Sequence, residues 1–338
     1  MFEKPPYEIT DKIVNLIANV SALLPTISPR MSMRLRKDSN IRSVYSSLAI
    51  ENNTLSHEQV TDLVNGRRVV GSPSEILEVK NAYAAYSQIE RFQPFSLPDF
   101  LAAHKLVMKE LVDGAGRFRT QGVGVYNGDK LVHAAPQAKF VHGHIENLLH
   151  WARESDTHPL IKSSVVHYEI EFIHPFMDGN GRMGRLWQTV ILSKWDPLFL
   201  ALPIETIIYE RQRDYYAALA TSDIGGNSTA FIEFMLTAIS DTIAIQEKHQ
   251  VEHQVEHQVE FSHIMLSVLN ALGNATMSRK EIFAAIGLIG DTRSFRRHVA
   301  PLLHEGYIEM TKPDKPNSKL QKYRLTVKGK EMIPGQRA

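Results

Sequence analysis

The sequence predicts a mainly α protein in two parts: a helical body broken by one small β-hairpin, and a C-terminal unit of three helices with a two-stranded wing. Three observations carry this expectation. Apolar residues recur at helical spacing through most of the chain. One glycine-rich stretch, Gly114–Pro136, interrupts that texture around Asn127-Gly128, the strongest short-range hairpin signal. Three copies of His-Gln-Val-Glu at 249–260 then separate the body from a segment of different charge.

Taken in order, residues 8–36 and 41–51 read as helices, with a polar break between them. In the second, Val44, Leu48 and Glu51 fall at helical spacing, and Asn52-Asn53 is a stop. Helices follow at 56–66, 74–92 and 97–112, the last opened by Ser96 as cap with Pro98 in its first turn. The hairpin occupies 122–135. Helices resume at 139–153 and 161–173, where Val166, Ile170 and Ile173 line one face, then from about 182 to 195, at 205–222 and at 228–247. The His-Gln-Val-Glu repeat moves its valines slowly round a helix and reads as a solvated helical linker. Histidines 249, 253 and 257 stand at i, i+4 spacing, but no carboxylate or thiol set completes a metal site with them. Helices at Phe261–Leu272, Ser278–Ile286 and Thr292–Glu305 and strands at Tyr307–Thr311 and Leu320–Thr326 follow, the order of a winged helix-turn-helix.

Composition excludes several classes. With 338 residues, 43% hydrophobic and 22% charged, the chain is neither disordered nor fibrous. No apolar run approaches the roughly 18 residues of a membrane span. Nor does the N-terminus show the basic-then-apolar pattern of a secretory signal, so a cytoplasmic location is expected. There is no cysteine, hence no disulfide and no thiolate metal site. The net charge of +1 conceals an asymmetry: from Ser262 to Ala338, 13 Lys/Arg stand against six Asp/Glu, a net of +7, so the rest of the chain carries −6. A basic terminal unit on an acidic body points to separate tasks, nucleic-acid contact among them.

The chemistry concentrates in residues 174–185, His-Pro-Phe-Met-Asp-Gly-Asn-Gly-Arg-Met-Gly-Arg. One helix ends before this run and another begins inside it. Gly179-Asn180-Gly181 lets the main chain turn its amides inward at a helix N-terminus, where the dipole also favours an anion. Arg182 and Arg185 are three apart, so they share a face and lean back toward that terminus. Asp178 is placed as a Mg²⁺ ligand, because Mg²⁺ takes one or two carboxylates plus phosphate oxygens. His174, at the end of the preceding helix, can take a proton from an attacking hydroxyl, while Phe176 anchors the loop in the core. Each residue alone has an ordinary structural explanation; a base, a metal ligand, an amide nest and two arginines within twelve residues do not.

This run resembles the signature of the Fic family, His-Pro-Phe-x-Asp/Glu-Gly-Asn-Gly-Arg-x-x-Arg, and matches it at every defined position. The resemblance implies a Fic-type helical core with a β-hairpin flap, and an adenylyltransferase that moves AMP from Mg·ATP to a Ser, Thr or Tyr hydroxyl of a protein. By position, His174 is then the general base and Asp178 holds Mg²⁺. Asn180 with Gly179 and Gly181 binds the α-phosphate, and Arg182 and Arg185 take the outer phosphates. Phe176, Met183 and Gly184 complete the nucleotide-site set. The hairpin resembles the family's flap, which aligns the target segment by main-chain pairing, with Val125 and Tyr126 facing the nucleotide. Tyr215-Tyr216-Ala-Ala-Leu resembles the family's adenine-facing pair, although Asp223 stands where the family can carry Asn.

Ser47-Leu-Ala-Ile-Glu51-Asn52 resembles the inhibitory pattern Ser/Thr-x-x-x-Glu-Gly/Asn. There the glutamate pairs with the second signature arginine, here Arg185, and competes with ATP's γ-phosphate for the same guanidinium fork. The resemblance thus divides the chain into an N-terminal helical region at 1–95 carrying the inhibitory motif at 47–52, a Fic catalytic core at 96–247, a helical linker at 248–261 and a winged helix at 262–338. Arg293, Arg296 and Arg297 fall on the recognition helix, with Lys312, Lys315, Lys319 and Lys322 around the wing; DNA contact and protein docking both stay open. A weak homodimer is expected by family analogy. Two other readings remain: an AMP-removing enzyme in which Glu51 positions water, and a DNA-binding regulator whose body senses nucleotide.

Overall fold

The computed structural model describes residues 4–27, 33–127, 130–273, 275–315, 318 and 320–333, with 33–35, 125–127, 130–134 and 249–262 described as backbone. It divides into two compact units, Met1–Glu247 and Lys248–Ala338.

In the first unit, helix α1 (Asp11–Leu23) is capped by Thr10, whose hydroxyl accepts the Ile13 N–H. Helix α2 (Met33–Ile50) is continuous through residues 37–40, where the sequence suggested a break. The polar residues there are helical because tertiary partners satisfy them. Ser39 donates to the Ala201 carbonyl at 2.9 Å and Lys37 to Asn65 at 2.7 Å. Ile41, Val44 and Leu48 form the apolar face of α2 that enters the core.

Reciprocal capping boxes at Ser56/Gln59 and Ser72/Glu75 start α3 (His57–Val64) and α4 (Pro73–Tyr86). Helix α4 stops earlier than expected, and Ile89–Arg91 is a separate 3-10 turn. Helix α5 (Leu97–Val107) is capped by Ser96. The antiparallel hairpin of β1 (Gly124–Asn127) and β2 (Lys130–Ala134) pairs Tyr126 with Leu131 and Asn127 with Lys130.

Helix α6 (Ala138–Glu154) leads to α7 (Pro159–Ile173) and α8 (Asn180–Trp195), the most extensively paired helices of the body. Both run through the core: Ile161, Val165, Ile170, Leu186, Trp187 and Val190 are buried. The run expected at 205–222 is broken at Arg211 into α9 (Ile204–Glu210) and α10 (Gln212–Gly225). Helix α11 runs over Thr229–Leu272 and contains the whole repeat, whose side chains lie outside the described residues.

The second unit has its own core of Val268, Leu269, Leu272, Ile282, Phe283, Val299, Leu302, Ile308, Tyr323 and Leu325. Its elements are β3 (Met277–Ser278), α12 (Arg279–Ala285), α13 (Thr292–His298), α14 (Ala300–His304), β4 (Ile308–Met310), β5 (Lys322–Leu325) and α15 (Val327–Glu331). The sheet is antiparallel in the order β3-β5-β4, one strand more than the sequence suggested. The helix expected at 292–305 breaks at Val299, because Pro301 in the next turn cannot donate to an unbroken ladder.

Candidate functional site

The site is the loop between α7 and α8, and its conformation is dictated from below. Helix α7 ends on His174, which takes the left-handed conformation (φ 50°) as C-cap while its N–H still bonds the Ile170 carbonyl. Phe176 is buried, its ring stacked on His104 at 3.5 Å and 3°, with Phe100 and Phe118 at 5.5 and 5.6 Å. Asn180 pins the turn with its side chain: Oδ1 accepts the Phe176 N–H at 2.9 Å and Nδ2 donates to the Phe176 carbonyl at 3.0 Å. Its amide group is therefore engaged in the loop, which leaves the main chain as the anion-facing part of 179–181. Gly179 (φ 85°) opens α8 where a Cβ would meet Met108 Sδ at 2.7 Å. At Gly181 a Cβ would come within 2.6 Å of Glu51 Oε1 and 3.1 Å of Arg185 Nη1.

His104 is buried beneath this loop and was not singled out by the sequence. A lone histidine on an apolar helix face carries no signal of its own. Its Nδ1 accepts the Gly116 N–H at 2.8 Å, so Nε2 carries the proton and donates to the Asp178 carbonyl at 3.0 Å. Burial holds its pKa down at about 4. His174 has Nδ1 3.3 Å from the Glu171 carbonyl, which can only accept, so that nitrogen is the donor and Nε2 is the basic one.

The two signature arginines are buried and differ in their partners. Arg185, 2% exposed, donates from Nε to Ser47 Oγ at 3.0 Å and from Nη2 to the Ser47 carbonyl at 3.1 Å and to Glu51 Oε1 at 2.6 Å. Burial opposes its charge, yet Glu51, Tyr215 and Glu171 together hold its pKa above the ordinary value. Arg182 Nη2 donates to Asp178 Oδ1 at 3.2 Å; Nη1 is ion-paired with Glu78 Oε1 at 3.5 Å but makes no hydrogen bond, and Nε is buried without a hydrogen-bond partner. A buried guanidinium with unmet donors suits an incoming polyanion. Asn53, two residues after Glu51, donates to the other oxygen of Glu78 at 2.8 Å.

Asp178 has a carboxylate 57% exposed at the start of α8, bonded by the Gly179 N–H at 2.6 Å. Among the described residues no group of three or more His, Cys, Asp or Glu side chains could hold a metal ion. A single exposed carboxylate beside an anion nest nevertheless fits Mg²⁺, whose remaining ligands come from phosphate and water.

The other predicted residues separate. Phe176 and Met183 are buried in the core, and Gly184 is the spot where a Cβ would press within 2.4 Å of His167. Tyr215, read as adenine-facing, points inward instead. It is 1% exposed, its hydroxyl donates to Glu171 at 2.9 Å and lies 3.1 Å from His167, and its ring packs on Phe231. Adjacent helical residues point about 100° apart, so Tyr216 is left outside, 48% exposed. Burial and then the Glu51 charge push the Tyr216 hydroxyl pKa up, which puts that hydroxyl in the field of Glu51. Asp223 accepts from Tyr168 at 2.9 Å. Val125 and Tyr126 lie on β1, and their side chains are outside the described residues.

A glycine-rich loop at a helix N-terminus, with a histidine at its rim and an arginine held by a distant glutamate, defines the class: a helical protein organised around one loop–helix centre. Comparison with known proteins supplies the family. The Fic/DOC family model matches residues 94–192, and that of the "Filamentation induced by cAMP protein Fic-like, C-terminal domain" matches 264–326. A crystal structure of a Fic family protein from Desulfovibrio desulfuricans G20 is 44% identical and superposes with a TM-score of 0.72, covering 97% of this chain and 99% of that one. The chain belongs to the Fic family. Protein adenylyltransferase fic-1 of Caenorhabditis elegans is 28% identical over 207 residues, 57% of this chain and 38% of that protein. Protein adenylyltransferase Fic of Nematostella vectensis is 27% identical over 221 residues, 62% of this chain and 49% of that protein. The chain thus spans less than half the length of these curated relatives.

Proposed function

We propose that the protein is an adenylyltransferase that moves AMP from ATP to a Ser, Thr or Tyr hydroxyl of a protein, itself included, and that Glu51 keeps it inactive at rest. The relatives' activity supports the reaction class. The observation that carries it to this chain is the convergence at the α8 N-terminus of His174, Asp178, the 179–181 main chain and the unmet donors of Arg182.

The chemistry follows from those groups. ATP's phosphates lie against the amides of 179–181 and the two guanidiniums. The target hydroxyl gives its proton to His174 Nε2 as its oxygen bonds the α-phosphorus, and the bond from that phosphorus to pyrophosphate breaks. Bound Mg²⁺, held by Asp178, would neutralise phosphate charge. Glu51 lies against Gly181 and Arg185, so a γ-phosphate and this carboxylate compete for one position.

Incubation with α-labelled ATP, wild type against His174→Ala, tests the reading. Loss of labelling by about 10²–10⁴-fold in the variant, with ATP binding retained, is expected for a general base. No label on either protein, with ATP bound, would refute transfer and favour a nucleotide sensor. The position of Glu51 also suits a second reaction in the same site, removal of AMP with Glu51 orienting water; release of AMP from a labelled target measures it.

The second unit is read as a winged helix. Thr292, Arg293, Arg296 and Arg297 line one open pocket on α13, with Lys312, Lys315 and Lys322 in the same unit, a surface suited to nucleic-acid phosphates or an acidic protein face. Lys319 lies outside the described residues. A homodimer is part of the same reading. Among the described residues no helix is long and apolar enough to cross a membrane.

A further inference from the structure

Arg119 is a buried cation to which the site described so far gives no role. It is 3% exposed, and among the described residues its hydrogen bonds go to main-chain carbonyls rather than to a carboxylate. Burial accordingly lowers its pKa from the ordinary arginine value. A guanidinium desolvated without a counter-charge is costly, so the surroundings must return that cost.

The carbonyls fall into two sets. One is the end of α7: Nε donates to the His174 carbonyl at 2.7 Å and Nη2 reaches the Ile173 carbonyl at 3.3 Å, while the Arg119 main-chain N–H bonds the Pro175 carbonyl at 3.0 Å. Three consecutive carbonyls, the last of α7 and the two that follow it, are thus bonded by one residue. A cation there also opposes the negative end of the helix dipole. The other set is the base of the hairpin: Nη1 donates to the Gln121 carbonyl at 2.8 Å and Nη2 to the Pro136 carbonyl. Gln121 lies just before β1 and Pro136 just after β2. The planar fork of arginine can span these directions at once, which the point charge of lysine cannot.

His174 needs such support. It holds φ 50° without being glycine, a left-handed conformation that is unfavourable for a residue with a Cβ and persists where the surroundings over-determine it. The carbonyl that Arg119 grips belongs to that same residue.

We propose that Arg119 is a positioning residue that locks the left-handed His174 and the two feet of the hairpin into one register, so that the base and the flap are set together. The proposal rests on the transfer reading for its catalytic consequence, and on the hydrogen-bond geometry alone for its structural one. It predicts that the hairpin and the catalytic loop loosen together when the fork is removed.

The test compares full-length Arg119→Gln and Arg119→Lys with wild type. For Arg119→Gln, kcat for AMP transfer should fall about 100-fold, the cost of misplacing a reacting group by about 1 Å, while KM for ATP stays within about threefold. Amides of the hairpin and of 173–176 should exchange hydrogen faster, and the ¹⁵N resonances of the His174 ring should shift. Arg119→Lys should recover part of the rate. If Arg119→Gln does not fold, Arg119→Lys decides, and should show the same signs at smaller size. Unchanged exchange in both segments, with an unchanged His174 signature or with activity falling only in proportion to folded protein, overturns the proposal. Should wild type transfer no AMP, the function reading fails while the exchange and resonance measurements still decide this one.

Discussion

Replacing Glu51 by glycine should make the protein less stable and more active, a combination that few substitutions produce. Glu51 meets Arg185 at 2.6 Å, and the two side chains are 30% and 1% exposed. A hydrogen bond between charged partners contributes about 1.5–3 kcal/mol. The partial exposure of Glu51 favours the lower half of that range. Ser47 keeps both of its contacts with Arg185 in the variant, so the guanidinium stays aimed at the site. If the carboxylate must leave before the γ-phosphate enters, removing it releases roughly 1.5–2.2 kcal/mol, or about 10- to 40-fold in the population able to react. The same change leaves a buried cation short of a partner and should cost about 1–3 kcal/mol of folding stability. The assay is incorporation of α-labelled AMP into the purified chain, alongside thermal unfolding and ATP affinity. Unchanged incorporation and unchanged ATP affinity in a folded Glu51→Gly protein would refute the autoinhibition argument.

Two further outcomes follow from the layer beneath the site. Gly184→Ala should lower stability by about 1–3 kcal/mol by overpacking, since its Cβ would lie 2.4 Å from the ring of fully buried His167; a melting temperature equal to wild type would show that the α7–α8 contact can open without cost. Burial holds His104 at about 4 and His167 at about 3, so both fold neutral, and their contribution is full above the unfolded value of about 6.5 and is lost as pH falls below it. Urea unfolding between about pH 7 and about pH 5 should therefore lose about 2 kcal/mol per histidine, with a shallower dependence in His104→Gln; identical slopes would contradict this assignment.

How far the sequence reaches is clearest at three places. The anion loop was legible because its information is local: glycines that permit positive φ, a helix start and two arginines on one face all lie within twelve residues. Glu51 was legible only through resemblance, because a glutamate in a last helical turn is ordinarily solvated, and its partner lies 134 residues further along the chain. Arg119 was not legible at all. Its partners are main-chain carbonyls, and every residue supplies one whatever its side chain.

The same distinction explains the misreadings. Lys37–Asn40 looked like a helix break because polar residues compete with a helix locally, and only the packing of α2 against the 197–201 turn reveals the partner of Ser39. For Tyr215-Tyr216, pattern identifies an aromatic pair but not which ring faces inward. That was decided by His167, Glu171 and Phe231, which close around Tyr215 and leave Tyr216 half exposed. By itself the sequence determined the helical class, the hairpin, the basic C-terminal unit and the chemical inventory of the loop, because periodicity, turn chemistry and charge are properties of neighbouring residues. The tertiary structure alone decided which carboxylate meets which arginine, which tyrosine is buried and what holds His174, because those depend on groups brought together from distant parts of the chain.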